Sequence, residues 1–531
     1  MRRKRHSEEQ TFGILPEPAP LAWHLLLGLA CLQAALHLAT NGRWGPFRDE
    51  LYYLACADHL AWGYVDHPPL SIALLAGWRA LVGDGIWAIR LLSTAAGAAL
   101  VFLTGLVARE LGGRPAAQGL AAEAVLIAPA VLATTAFYSM NAFEPLVWVG
   151  ATLLLIRILR REAELPAGRA GFAPWLWLGL LLGFGLLNKI SILLLGAGLA
   201  VGLLATPARR HFARPGPWLA AAIALALFAP HLIWQARMGW PTLEFMANAR
   251  AEKMVPLSPP AFFAEVMLET HPANLLLWVL GCVWLFAARA ARPLRALAWI
   301  WPVTALVLML RHGKPYYLAP AQPLLLAAGA VVAAGWLGRR WRPGVPVLAV
   351  LLALGGLFTL PLCVTLLSPA ATASYLAATG LQPTPSEFSH RNQTLPQHLA
   401  DHLAWQEQAE AEAAAFATLS EAERADCLLL VSNYGQAGAA DYYRKRGLAL
   451  PPTVCGHNSY WHWWPQGRGG DTAIAVNISE EALRASYEEV TLWRQLEVPF
   501  AMDYEGRARI YLCKHRTAPL ETARPLYRYF G

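Results

Sequence analysis

The sequence predicts a polytopic α-helical membrane protein with a small α/β domain at its C-terminal end. Of its 531 residues, 56% are hydrophobic and only 15% are charged, and the mean hydropathy is +0.37. Apolar runs near or above the roughly 18 residues that a membrane-spanning helix needs recur as far as residue 367. Beyond Pro369 the composition becomes polar, and short β-type runs alternate with helical ones.

The apolar runs predict about eleven membrane-spanning helices. Their ranges are 21–39, 86–107, 116–136, 144–160, 175–187, 190–205, 218–236, 273–289, 295–311, 316–337 and 345–367. Residues 1–20 form an N-terminal tail. Residues 21–367 form a transmembrane domain whose long first loop, 40–85, is expected to be catalytic.

Arginine-rich connections predict the orientation of the helices. With the spans counted as above, these connections fall on one side together with the N-terminus, and short basic loops mark the cytoplasmic side of a membrane. The arginines are Arg2, Arg3, Arg5, Arg109, Arg114, Arg157, Arg160, Arg161, Arg169, Arg209, Arg210, Arg214, Arg289, Arg292, Arg295, Arg339, Arg340 and Arg342. Topology thus explains the net charge of +8 without a nucleic-acid partner.

The region 368–531 is predicted to be an extracytoplasmic α/β domain. Its strand candidates are 428–432, 472–477 and 507–513, and helical stretches are expected at 397–424 and from Ser479 onward. Three cysteines fall in this region, and the sequence leaves open whether two of them form a disulfide. They are Cys427, Cys455 and Cys513.

Asp49 and Glu50 lie directly after the first predicted span and open a helix-like run. As an N-cap and a first-turn acid they would serve the helix alone. As a general base, or as a carboxylate that orients an acceptor, Asp49 would serve catalysis, with Glu50 in support. The two roles are compatible because a capping aspartate keeps a second oxygen.

The segment Asp66-His67-Pro68-Pro69 predicts a rigid turn, because consecutive prolines restrict the backbone before and within them. Asp66 and His67 are therefore expected to shape a substrate site. A lone histidine is more often a hydrogen-bond partner than a metal ligand. If a divalent metal is bound, its ligands are expected among Asp49, Glu144 and His67; no other cofactor is indicated.

Three further residues are candidates on the same predicted side. Glu144 precedes a proline at the start of a span, where it is a second catalytic acid or only a helix-start acid. Lys189 is a substrate-binding cation or a snorkelling side chain. Lys314 comes just before Tyr316 and Tyr317 at a span start and predicts a phosphate site. The chain has no nucleotide-binding loop, so a lipid-phosphate donor is expected.

Several motifs recur in one family of membrane enzymes. They are Arg48-Asp-Glu-Leu-Tyr-Tyr, Gly63-Tyr-Val-Asp-His-Pro-Pro-Leu, Gly185-Leu-Leu-Asn-Lys, Gly313-Lys-Pro-Tyr-Tyr-Leu-Ala-Pro and, more weakly, Asn433-Tyr-Gly-Gln-Ala and Gly456-His-Asn-Ser-Tyr. They resemble the bacterial protein-mannosyltransferase-like membrane glycosyltransferases, relatives of the aminoarabinose transferases. The aminoarabinose transferases carry an acid and a lysine before the paired prolines, where this chain has Asp66-His67. That difference argues against a lipid A acceptor.

The resemblance implies the GT-C fold and the inverting transfer of a sugar from a polyprenyl-phosphate carrier, on the outer face of a bacterial cytoplasmic membrane. A glycan, lipid or protein would accept the sugar. Asp49, Glu50 and Glu144 would be the catalytic residues. The expected substrate- and donor-binding residues are Arg48, Tyr53, Asp66, His67, Lys189, Lys314, Tyr316 and Tyr317. The alternative is a transporter or flippase of polyprenyl-linked sugars.

Overall fold

The computed structural model of the chain describes residues 17–164, 171–381 and 393–531, and most of them are helical. Most of the predicted tail, residues 1–16, and Arg169 lie outside the described residues. Up to residue 379 the α-helices are Trp23–Thr40, Arg48–Asp58, Leu70–Val82, Ile86–Glu110, Pro115–Leu126, Pro129–Thr134, Met140–Glu164, Ala173–Asn188, Ile192–Leu204, Pro215–Arg237, Pro241–Asn248, Pro259–Thr270, Leu275–Ala287, Arg295–Ala298, Ile300–Arg311, Gln322–Arg340, Gly344–Cys363 and Pro369–Thr379.

Seven helices in the described part are long and apolar enough to cross a membrane, and up to nine if each of two bent pairs is one span. The pairs bend by 110° before Pro207 and by 96° before Pro272, where proline removes a backbone donor. Helix Gly344–Cys363 is only 11% buried and exposes Leu351 and Leu357. Such an apolar surface is stable against lipid, which confirms the predicted membrane class.

Four of the predicted spans do not form a single long helix. The segment 116–136 consists of helices Pro115–Leu126 and Pro129–Thr134, separated where Pro129 starts a new first turn. The segment 175–187 is the shorter apolar helix Ala173–Asn188. The segments 190–205 and 273–289 each belong to one of the bent pairs. Hydropathy alone therefore located the apolar helices but not their breaks.

The chain divides into two compact units, and the first consists of residues 1–40, 90–232 and 256–364. Its helices approach closely where glycine removes the side chain. A Cβ atom on Gly329 would lie 1.7 Å from the carbonyl oxygen of Leu277, and one on Gly281 would lie 1.9 Å from that of Leu325. Small residues permit this kind of contact between membrane helices, which associate through packing because lipid offers no hydrophobic driving force.

The second unit consists of residues 41–89, 233–255 and 365–531, so it joins the first loop to the C-terminal region. Its C-terminal helices are Gln397–Ala400, Trp405–Ala417, Glu421–Asp426, Tyr434–Arg444, Glu480–Arg484, Asp503–Gly506 and Leu520–Tyr527. Its strands are β1 (Leu428–Val431), β2 (Thr453–Cys455), β3 (Ala473–Val476), β4 (Tyr487–Gln495) and β5 (Arg509–Arg516).

The strands form one mixed sheet in the order β2-β1-β3-β5-β4. β1 pairs in parallel with β2 and β3, whereas β5 pairs antiparallel with β3 and β4. The sequence predicted β1 and β3 from their buried apolar runs, and β5 from the apolar residues in its first half. It missed β2, which has only three residues, and β4, whose apolar and polar side chains do not alternate regularly.

The three cysteines of this region are buried free thiols, so no disulfide joins them. Burial raises the pKa of Cys427, Cys455 and Cys513 to about 12, which keeps each thiol protonated and unreactive.

Helix Trp405–Ala417 carries a buried acid, Glu412, whose Oε1 accepts a hydrogen bond of 2.8 Å from the Gln408 side chain. Burial raises the pKa of Glu412 to about 8, and the neighbouring Glu505 carboxyl adds to the effect. Burial also raises the pKa of Glu505. At neutral pH the folded protein therefore holds a proton on Glu412 that the unfolded chain releases.

The free energy of unfolding should consequently fall as pH rises. Between the ordinary pKa of 4.5 and the folded value of about 8, Glu412 is protonated only in the folded state. Each pH unit in this window costs up to about 1.4 kcal/mol, and the loss ends above the folded pKa. Glu412→Gln should flatten the profile when unfolding of the purified protein is followed from pH 6 to 9. Glu410→Gln, an exposed control on the same helix, should leave the slope unchanged.

Candidate active site

The first loop presents Asp49 at the start of helix Arg48–Asp58. Phe47 precedes the helix in an extended conformation, and its backbone N–H donates a hydrogen bond of 2.8 Å to Oε2 of Glu50. Glu50 is fully buried, so this carboxylate satisfies a donor at the helix start. The N-cap of the helix is Phe47, so the capping role considered for Asp49 is wrong: Glu50 serves the helix start, and Asp49 is half-buried in the first turn.

A tyrosine from the C-terminal region fixes the Asp49 carboxylate. The hydroxyl of Tyr434 donates to Oδ1 of Asp49 at 3.0 Å. Tyr434 opens helix Tyr434–Arg444, and Asn433 caps this helix by accepting from the backbone N–H groups of Gly435 and Gln436 at 2.9 and 3.1 Å. Oδ2 of Asp49 accepts no hydrogen bond within the described part of the chain. Asp49 is thus oriented through one oxygen.

The two helices that carry Asp49 and Tyr434 pack with almost no gap. A Cβ atom on Gly438 would lie 2.8 Å from both the backbone carbon and the Cβ of Leu51, which is closer than packed atoms tolerate. Glycine at 438 therefore sets the separation of the helices, and with it the hydrogen bond between Tyr434 and Asp49.

Gly438→Ala should destabilise the protein by about 1–3 kcal/mol through overpacking and should lower activity by moving Asp49. Thermal unfolding of the purified protein and a turnover assay measure the two effects. Gly77→Ala is the matched control, since Gly77 also lies in a helix and a Cβ there would meet nothing within 4 Å. A Gly438→Ala variant as stable and active as Gly77→Ala would refute the close-packing argument.

Arg48 lies beside the same tyrosine. Its guanidinium carbon is 4.6 Å from the ring centre of Tyr434, and its Nη1 donates to the Tyr504 hydroxyl at 2.9 Å. The Arg48 side chain is 8% exposed. A cation over a phenol ring is favourable, and more so in a dry environment. Arg48 thus packs against the ring of the tyrosine whose hydroxyl holds Asp49.

The second loop motif forms a buried aromatic cluster. Tyr52 donates to Oδ1 of Asp66 at 2.9 Å and accepts from the backbone N–H of Ser459 at 3.2 Å. Burial raises the pKa of Asp66. His67 is 1% exposed, and its ring centre lies 4.8 Å from that of Tyr53. Through this packing, Tyr53, Asp66 and His67 stabilise the loop around Pro68 and Pro69.

The remaining predicted residues lie in the first unit, where Lys189 and Glu144 form a buried ion pair. Nζ of Lys189 is 2.6 Å from Oε2 of Glu144 and 2.8 Å from Oδ1 of Asn141. The hydroxyl of Ser191 donates to the other Glu144 oxygen, Oε1. Lys189 does not snorkel, since it is only 7% exposed.

Tyr317 joins this pair to the Lys314 segment. Nζ of Lys189 lies 4.5 Å from the ring centre of Tyr317, and the rings of Tyr316 and Tyr317 are 4.5 Å apart. Lys314 precedes the short helix Pro315–Ala321, and its Nζ is 6.0 Å from the Tyr316 ring centre. The first unit therefore brings together all of its predicted residues: a carboxylate, two ammonium groups and two phenols.

Two of the three predicted metal ligands, Glu144 and His67, are engaged in contacts that leave them unavailable to a divalent ion. Glu144 has an ammonium and a hydroxyl on its two oxygens, and His67 is enclosed by aromatic rings. In residues 17–164, 171–381 and 393–531, no three histidine, cysteine, aspartate or glutamate side chains are grouped as a metal site would require. No step of the mechanism below involves a metal.

Sequence reasoning missed four partners of the predicted residues. Tyr434 and Ser459 contact the first loop, and Asn141 and Ser191 contact the buried ion pair. Tyr434 and Ser459 stand in the motifs Asn433-Tyr-Gly-Gln-Ala and Gly456-His-Asn-Ser-Tyr, so these motifs were the available signal. Nothing in the sequence pairs either motif with a loop almost 400 residues earlier.

A family model covers part of this chain. Residues 66–234 match the model described as dolichyl-phosphate-mannose-protein mannosyltransferase. The match begins at Asp66, includes Glu144 and Lys189, and ends before Lys314. No curated protein sequence matches the chain.

Solved structures share the fold over most of the chain. ArnT from Cupriavidus metallidurans bound to undecaprenyl phosphate has a TM-score of 0.58 and 15% identity, over 92% of this chain and 98% of ArnT. Its apo state gives 0.54 and 16%, over 92% and 97%. The oligosaccharyltransferase AglB from Archaeoglobus fulgidus, in complex with an inhibitory peptide and a dolichol-phosphate, gives 0.51 and 12%, over 79% of this chain and 63% of AglB. These likenesses confirm the predicted GT-C fold and the predicted resemblance.

Proposed function

We propose that this chain, a GT-C protein similar to protein mannosyltransferases and ArnT, is an inverting glycosyltransferase that uses a polyprenyl-phosphate sugar. It would transfer the sugar to a glycan, lipid or protein on the outer face of a bacterial cytoplasmic membrane. The observation that carries the proposal is Asp49, a half-buried carboxylate oriented through one oxygen by Tyr434. Supporting it, ArnT and AglB were solved with undecaprenyl phosphate and a dolichol-phosphate.

In the proposed reaction Oδ2 of Asp49 accepts the proton of the acceptor hydroxyl as its oxygen attacks the anomeric carbon. The new glycosidic C–O bond forms on the face opposite to the phosphate. The C–O bond to the phosphate breaks, and polyprenyl phosphate leaves with the bonding electrons. One displacement of this kind inverts the anomeric centre. The hydrogen bond from Tyr434 keeps the Asp49 carboxylate oriented for this proton transfer.

Lys314 and the tyrosines after it would hold the leaving phosphate. An ammonium and phenol hydroxyls stabilise the negative charge that develops on the departing oxygen. The Lys189–Glu144 pair is proposed to keep Tyr317 in place, because Lys189 lies over its ring. In this arrangement Glu144 positions a cation and transfers no proton.

Released polyprenyl phosphate tests the proposal directly. The purified protein, incubated with polyprenyl-phosphate hexoses and pentoses and with an acceptor-rich envelope extract, should release the lipid phosphate and label the extract. The anomeric configuration of the product, read by NMR, should be opposite to that of the donor. A retained configuration would contradict the single displacement, and the absence of release with every donor would contradict the activity.

Lys314→Gln should raise the KM for the donor about tenfold or more, since a hydrogen bond to a charged group is worth about 1.5–3 kcal/mol. Initial rates at varied donor concentration measure the effect. Arg311→Gln removes an exposed cation at the end of helix Ile300–Arg311 and serves as the control. Equal donor KM values for the two variants would remove Lys314 from the phosphate site.

A transporter of polyprenyl-linked sugars is the second candidate. The two bent helix pairs favour it, because broken helices are common in transporters. Sealed vesicles containing the protein separate the two functions. A transporter moves labelled donor across the bilayer without cleaving it, and Asp49→Asn should leave that movement intact. The glycosyltransferase releases polyprenyl phosphate, and the same variant should stop the release.

A further inference from the structure

A cationic pocket of about 550 Å³ lies within the second unit, and the proposed reaction gives it no role. Three separate stretches line it: the first loop, residues 252–253 and the C-terminal region. Its cations are Arg48, Lys253, Arg507 and Arg509. Glu252 is the one carboxylate side chain among the described residues of its lining. The pocket therefore favours a negatively charged occupant.

Arg48 provides a second observation, a buried donor without an acceptor. Its side chain is more than nine-tenths buried, yet its Nε has no hydrogen-bond acceptor among residues 17–164, 171–381 and 393–531. A buried donor without an acceptor is costly, and an incoming anionic oxygen would supply one. Arg507 and Arg509 are exposed and form no ion pair within the described part of the chain.

The rest of the lining suits an anionic sugar. Ser432 and Asn433 lie at the N-terminal end of the 11-residue helix Tyr434–Arg444, where the helix dipole favours negative charge. Tyr504 and Tyr529 add phenol groups, which can form hydrogen bonds with sugar hydroxyls. The volume falls in the range of small-molecule sites, about 300–1,000 Å³, which is more than a bare phosphate needs.

We infer that this pocket binds an anionic group, phosphate or carboxylate, on the acceptor sugar. The inference rests on the proposed function, since it assigns the class of acceptor for that reaction. Arg48 would contact the anion, and the adjacent residue, Asp49, would face the hydroxyl that is glycosylated. The anionic group would thus anchor the acceptor, and its hydroxyl would lie near the proposed base, Asp49.

Calorimetry on the purified full-length protein tests the inference without turnover. A hexose phosphate or a hexuronate should bind saturably, more weakly at high salt, whereas the neutral hexose should not bind. The double variant Arg507→Gln/Arg509→Gln should weaken binding of the charged sugar at least about tenfold. Arg494→Gln is the matched control: an exposed arginine on β4, which pairs with β5. It should bind as the wild type does.

The inference would be overturned by equal binding of the neutral hexose, by no binding of either charged sugar, or by unchanged binding in a folded double variant. Binding of polyprenyl phosphate should be the same in the double variant and the wild type. A parallel loss would assign the pocket to the donor phosphate and overturn the acceptor assignment. A wild-type protein that binds charged sugars but releases no polyprenyl phosphate would contradict the glycosyltransferase alone.

Discussion

Replacing Asp49 with asparagine is expected to lower the release of polyprenyl phosphate by at least about 100-fold, because the amide cannot take the acceptor proton. The amide oxygen can still accept the hydrogen bond from Tyr434 that holds the native side chain at 3.0 Å. The variant should therefore purify and unfold like the wild type. The rate of lipid-phosphate release under single-turnover conditions measures the loss.

Asp58→Asn is the matched control, since it makes the same change at the other end of helix Arg48–Asp58. Asp58 is exposed and forms ion pairs with Arg79 and Lys445. These pairs are partly exposed, so their loss should change stability by about 1 kcal/mol or less. Near wild-type turnover by Asp49→Asn, or an equal loss in Asp58→Asn, would remove Asp49 from the catalytic role.

Removing Lys189 alone is expected to destabilise the protein by about 3–5 kcal/mol, because it leaves the Glu144 carboxylate buried without a cation. The two side chains are only 9% and 2% exposed. Lys189→Met should therefore lower the unfolding temperature and the yield of purified protein. The double variant Glu144→Gln/Lys189→Met removes both charges and should recover most of the loss.

Activity of the double variant then separates two roles of the pair. If the pair only positions Tyr317, the stable double variant should retain part of the turnover. If Lys189 binds the donor phosphate, the double variant should be stable but should show a raised donor KM. As a control, Arg484→Met breaks the exposed pair with Glu480 and should cost less than about 0.5 kcal/mol. A single Lys189→Met variant as stable as this control would refute the buried-pair argument.

The sequence predicted well what depends on local composition. Long apolar helices, the polar C-terminal region and three of the five strands all follow from runs of similar side chains. The sequence also placed Asp49 at a helix start and Lys314 at the start of an apolar span, which the structure has as Pro315–Arg340. β4 was missed because an edge strand with exposed side chains has no periodic burial to detect.

The sequence by itself therefore determined the fold class and the chemical types available to the site: carboxylates, lysines and tyrosines in named motifs. Only the tertiary structure decided which partner each of these side chains contacts. In the folded chain Glu50 accepts a hydrogen bond at the helix start, Glu144 pairs with Lys189, and His67 packs among aromatic rings. The tertiary structure also brought Tyr434 to Asp49 across 385 positions of chain. The physical reason is that hydropathy and helix caps act between near neighbours, whereas a hydrogen bond or buried ion pair depends on which distant segments pack together.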